Sequence, residues 1–149
     1  MYKKRNVLAW LVITVSMSVA ALSPSLRAED VSRKEMNKKV EAAADAIKNY
    51  TITQKDEAVK SAKASLEDLD ARIKHMEDRL DKEWNHMDNA ARDASRASLR
   101  KLREQRTELA DWYGQLKQSS ATAWDVVKRG FFDSYEVLRG SLDKAQKEF

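Results

Sequence analysis

Cysteine is absent from all 149 residues, which excludes a disulfide framework, a thiol nucleophile and a cysteine-linked lipid. Proline occurs once and glycine three times, so the two residues that most often end helices are nearly missing. No glycine-rich phosphate loop and no nucleophile elbow is present, and the serines fall inside helical pattern or at its ends. Without a small-molecule pocket signature the chain is expected to be no enzyme, with no cofactor and no small-molecule substrate. Acid is missing from the first 28 residues, which hold Lys3, Lys4, Arg5 and Arg27. Removing those four from 28 bases leaves 24 against 24 acids, so the formal charge of +4 belongs to the start alone. A neutral remainder argues against nucleic acid as a partner, because phosphate binding needs a net basic face. Arg92, Arg96, Arg100, Lys101, Arg103 and Arg106 form a local basic run, read as a solvated helix face.

The first 28 residues have the layout of a secretory signal peptide: a basic start, an apolar run from Val7 to Leu22, and a looser stretch with Pro24 before Ala28. Pro24 is expected to break the leader's helix, with the cut falling between Ala28 and Glu29. The apolar run is about 16 residues, short of the ~20 that span a bilayer, which favours a cleaved leader over a retained anchor. The chain is therefore expected in the periplasm or outside the cell of a bacterium.

From residue 29 onward charge is abundant and apolar residues recur at helical spacing. Met36, Val40, Ala43, Ile47 and Tyr50 step by four and three, a narrow helical seam. After a β-branched break at Tyr50–Thr53, Thr53 with Asp56 resembles a capping box. The seam resumes as Val59, Ala62, Leu66, Leu69, Ile73, Met76 and Leu80, and then steps by four to Trp84. Asp56–Lys60, Asp68–Arg72, Asp70–Lys74 and Asp78–Lys82 would support the wet side. Two breaks compete further on: Asn85–Asn89 and Gln118–Ser120. The later one is preferred, with Ser119 or Ser120 as a cap.

The last third carries a doubled element. Tyr113, Trp124 and Tyr135 are spaced by eleven, each followed by an aliphatic residue and a base. On an unbroken α-helix that spacing would put all three on one face. Trp112, Tyr113, Trp124, Phe131, Phe132 and Tyr135 crowd the end, whereas the preceding part of the 29–149 region has Tyr50 and Trp84. The seam is assigned to Trp84, Trp112, Tyr113, Trp124, Phe131, Phe132, Tyr135 and Leu138, with Trp112 and Phe132 as the exposed contacts. Folded back, the large rings would meet Ala90, Ala91, Ala94, Ser95, Ala97 and Ser98. The expected product is all-α: an elongated antiparallel hairpin or three-helix coiled coil, residues 29–149, with helices at about 31–50, 54–117 and 120–148.

His75-Met76 and His86-Met87 have a copper-like donor chemistry. Eleven residues of helix separate the pairs by roughly 16 Å, too far for a shared ion. The methionines fall on the seam and the histidines off it, so no metal site is assigned. Glu83 with His86 has the spacing of a di-metal bundle, but Arg72 stands where His75 would need its acid.

Trp124-Asp125-Val126-Val127-Lys128 and Tyr135-Glu136-Val137-Leu138-Arg139, before the Lys144-Ala145-Gln146-Lys147 tail, resemble the end of small bacterial coiled-coil stress-response proteins. The period of eleven is similar to that of the exchangeable apolipoproteins. The first resemblance implies a stress-associated scaffold or holder of other proteins, working through a protein partner or self-association. The second implies, as the alternative, an amphipathic helix at a membrane surface.

Overall fold

The computed structural model describes residues 24–148; the apolar leader run and Phe149 lie outside the described residues. Among those described there are four α-helices and no strand: α1 (Pro24–Ile47), α2 (Lys55–Glu83), α3 (Asn89–Gln118) and α4 (Trp124–Glu148). Single 3-10 turns, Ile52–Gln54 and Trp84–His86, precede and follow α2. The chain is all-α, as its periodicity implies.

Ion pairs and hydrogen bonds across the helices fix their directions. Arg106 meets Asp70 at 2.7 Å and Arg103 meets Glu77 at 2.7 Å, so α3 runs back along α2. Lys55 donates to the carbonyl of Ser119 at 2.9 Å and Arg72 pairs with Asp143, so α4 runs parallel to α2. Arg139 reaches Glu41 at 3.7 Å, and Trp124 donates to the carbonyl of Tyr50 at 2.9 Å, which sets α1 antiparallel to α4. The helices alternate in direction, with α2, α3 and α4 packed together and α1 resting along α2 and α4.

Four corrections follow. The expected middle helix at 54–117 is two helices, because both competing breaks are used. At the first, Asp88 caps α3: its carboxylate accepts the Ala91 N–H at 2.8 Å, satisfying a donor with no intrahelical partner. The first described helix runs over 24–47 and not the expected 31–50, with Pro24 at its first position; the leader helix that Pro24 was expected to break lies outside the described residues. A proline at the first helical position gives up only an N–H that lacks an intrahelical acceptor anyway. At the start of α2 the expected Thr53 cap is replaced by an upstream pair, Gln54 Oε1 accepting from the Thr51 N–H at 3.1 Å. Finally, Asp70 and Asp78 do not use their expected i+4 bases, whereas Asp68 does lie within reach of Arg72. Asp70 crosses to Arg106, and Asp78 takes Lys74, four residues before it.

The buried stripe repeats strictly by seven on α3, while within α2 and α4 its steps of three and four also bring buried positions eleven apart, as Trp124 and Tyr135 are. On α2 it runs Ala62, Leu66, Leu69, Ile73, Met76 and Leu80; on α3, Ser95, Leu102, Leu109 and Leu116. On α4 it runs Trp124, Val127, Phe131, Tyr135, Leu138, Leu142 and Ala145. Tyr113 and Trp124 lie on different helices, separated by the 119–123 turn, so the eleven-residue repeat shares no continuous face. The rings of α4 do turn inward. Of the expected alanine trough, Ser95 is buried, Ala91 and Ser98 are half-buried, and Ala90, Ala94 and Ala97 are exposed; the other buried positions of α3 are Leu102, Leu109 and Leu116.

Candidate interaction surface

The eight seam residues divide by burial. Trp124, Phe131, Tyr135 and Leu138 are buried in α4. Trp84, Trp112, Tyr113 and Phe132 are half-buried, and basic side chains or backbone cover much of what remains. Arg92 and Arg96 stand over the Trp84 ring at 5.4 and 4.7 Å, and Arg92 also donates to the Trp84 carbonyl at 3.0 Å. The Lys48 ammonium lies 3.5 Å from the centre of Phe132, and the Lys117 ammonium 4.8 Å from Tyr113. Such cation–π contacts contribute about 0.5–1 kcal/mol each at exposed sites. Trp112 lies against α4 at Gly130, where a Cβ would fall 2.5 Å from its ring. Trp112 and Phe132, expected as exposed contacts, are half-buried, one against Gly130 and the other under Lys48; among the described residues the well-exposed large apolar side chains are Val31, Met36, Val126 and Val137.

One end of the molecule is tied by polar contacts. The carbonyl of Tyr50, at the end of the first turn, accepts from both Trp124 Nε1 and Lys128 Nζ at 2.9 Å. With Lys55 on Ser119, this joins the 48–54 turn to the 119–123 turn.

A second polar cluster lies where α1 meets α2 and α4. Arg139 holds Glu136 at 2.9 Å and Glu41 at 3.7 Å, and Asp68 lies close to Arg72 and Glu41. The Asn37 amide nitrogen, turned toward Asp68, donates to its carboxylate at 3.2 Å. Burial raises the Asp68 pKa above the ordinary aspartate value; Arg72 opposes the shift and Glu41 adds to it. The Tyr135 hydroxyl sits by the same charges, buried and without a hydrogen-bond partner among the described residues. Burial raises its pKa well above the tyrosine norm, against the pull of Arg139. Beside this cluster a cleft of about 700 Å³ opens between α1, α2 and α4.

Sequence reasoning missed Glu41 and Gly130, and it missed the pairs that Arg72 and Arg139 make with other helices. The usable signal was position: Arg72 and Arg139 adjoin the seam residues Ile73 and Leu138, where a long side chain can reach a neighbouring helix. Met76 is buried and Met87 half-buried with Ser95 Oγ 3.8 Å from its sulfur, while His75 and His86 are exposed. Among the described residues no group of three or more histidines and acids is placed to hold a metal ion. Nor is any described helix long and apolar enough to cross a membrane. Comparison with protein-family models, with curated proteins and with solved structures gave no match.

Proposed function

We propose that this is a non-enzymatic, exported helical protein of the bacterial envelope, a scaffold or stress-associated holder that meets other proteins through its helices. The observation that supports this reading is the division of apolar groups between interior and surface. Trp124, Phe131 and Tyr135 are spent on joining helices, while single aliphatic side chains at Val31, Met36, Val126 and Val137 stand out between charges. Isolated aliphatic groups on charged helices suit weak, reversible contacts with apolar segments of other chains, and the surrounding charge keeps the bundle soluble. Export rests on the leader pattern of the first 28 residues. The test is light scattering of a chemically denatured client diluted into the purified protein. Suppression of aggregation near equimolar ratio, weakened by Met36→Asp with Val126→Asp, is the expected result. No suppression at any ratio, from a protein that stays monomeric and captures nothing, would remove the reading.

One observation favours the membrane-surface alternative. Val126 and Val137 are eleven residues apart within α4, so they share an outward face, with the exposed bases Arg129 and Lys144 along it. Flotation with anionic liposomes, abolished by Val126→Asp plus Val137→Asp, would support it. Trp124 is unsuitable for this test because it is buried and bonded to Tyr50.

A further inference from the structure

We propose that the first half of α1, as far as Glu41, is a hinged strap that lifts away from α2 and α4 while its second half stays clamped. This goes beyond the functional reading and does not require a client. The clamped half is held by burial. Ala44 and Ile47 are fully buried in one core with Ala58 and Ala62, and the residues just beyond them are fixed by the double bond to the Tyr50 carbonyl and by Lys48 over Phe132.

The first half is attached differently. None of residues 31–41 is buried: Val40 is half-buried, and the other large apolar side chains, Val31 and Met36, are 52% and 61% exposed. Its contacts with the bundle include the Asn37 amide on Asp68 and the carboxylate of Glu41 on Arg139. Water can replace such polar contacts at small cost, whereas it cannot replace the burial of Ile47. The cleft lies under this half, between Arg33, Met36 and Asn37 on one side and Ala71, Arg72 and His75 on the other. Charge along it is largely compensated from within, Arg72 being paired with Asp143. A cleft beneath residues 31–41, none of them buried, is the gap between a fixed part and a part that can move.

Two measurements on the full-length protein test the strap. In hydrogen exchange read by mass spectrometry, amides of residues 31–41 should exchange at least about tenfold faster than those of 42–47. The change should be a step near Glu41, and salt at about 0.5 M should widen it by screening the Glu41–Arg139 pair. The chain has no cysteine, so Ser32→Cys with Ala71→Cys gives a clean pair of exposed spin-label sites. Their distance distribution should contain a longer population that grows when Glu41→Lys is added. Circular dichroism would confirm that this variant folds, and the exchange experiment on the wild type does not depend on it. A gradual rise in exchange toward the N terminus, or a single distance unmoved by salt, would overturn the proposal.

Discussion

A Cβ at Gly130 would lie 2.5 Å from ring atoms of Trp112, whereas at Gly140 it would meet nothing within 4 Å. The same substitution on the same helix should therefore act in opposite directions. Gly140→Ala should stabilise by about 0.5–1 kcal/mol, by reducing the freedom of the unfolded chain and favouring helix. Gly130→Ala should destabilise by about 1–3 kcal/mol, because the indole must leave its seat. Adding Trp112→Ala should turn Gly130→Ala from harmful to helpful, and urea melts of the four chains would show it. Equal effects at both glycines would mean that the ring does not rest there. A pH dependence belongs to Asp68. Burial raises its pKa, so the folded chain takes up this proton before the unfolded one. Its contribution to stability therefore increases as pH falls from the raised folded value toward the ordinary 3.8. Asp68→Asn should melt above the wild type at neutral pH, with the difference closing through the carboxylate range. A constant difference across pH would refute the assignment.

Helix α3 exists as a separate element because the chain stops and restarts at 84–88. Asp88→Ala removes the cap and should cost about 1 kcal/mol, whereas Asp93→Ala, exposed one turn further on, should stay within about 0.5 kcal/mol. Guanidinium melts of the two variants would separate the effects. The two breaks differ in how legible they were. Gln118-Ser119-Ser120 is a polar interruption between seams, and α3 does end at Gln118. Asn85–Asn89 lies within a seam that can be continued through Trp84 and Met87, so the apolar steps concealed it. The stripe along α2 was readable because each buried position from Ala62 to Leu80 repeats at three or four residues. The eleven-residue repeat misled because spacing along the chain indicates a shared face only within one helix. Tyr113 and Trp124 are on two. Contacts that span helices, such as Glu41 with Arg139 and Trp112 with Gly130, leave no period in the sequence. They became visible only when the helices were placed side by side.

For the molecule as a whole, the joint at Tyr50 ties the turn after α1 to the start of α4. Trp124→Phe keeps an aromatic side chain but loses the donor and part of the buried indole's volume; Lys128 still satisfies the carbonyl, so the cost should be about 1–3 kcal/mol. Lys128→Met alone should cost about 1 kcal/mol. Together they leave that carbonyl without either donor, and the double variant should lose more than the sum, by about 1 kcal/mol or more in thermal melts. Strict additivity would show that water reaches the Tyr50 carbonyl freely.

Because successive helices reverse direction, α1 begins and α4 finishes at the same extremity as the 84–88 bend, with Glu148 beside His86 and Met87. The thirty residues of α3 give the bundle a length of about 45 Å. A tether at either terminus, whether a surface or a fused partner, would thus hold the molecule by one foot. The tied turns around Tyr50 and Trp124 would stand at the far tip, reaching away from whatever the protein is fastened to.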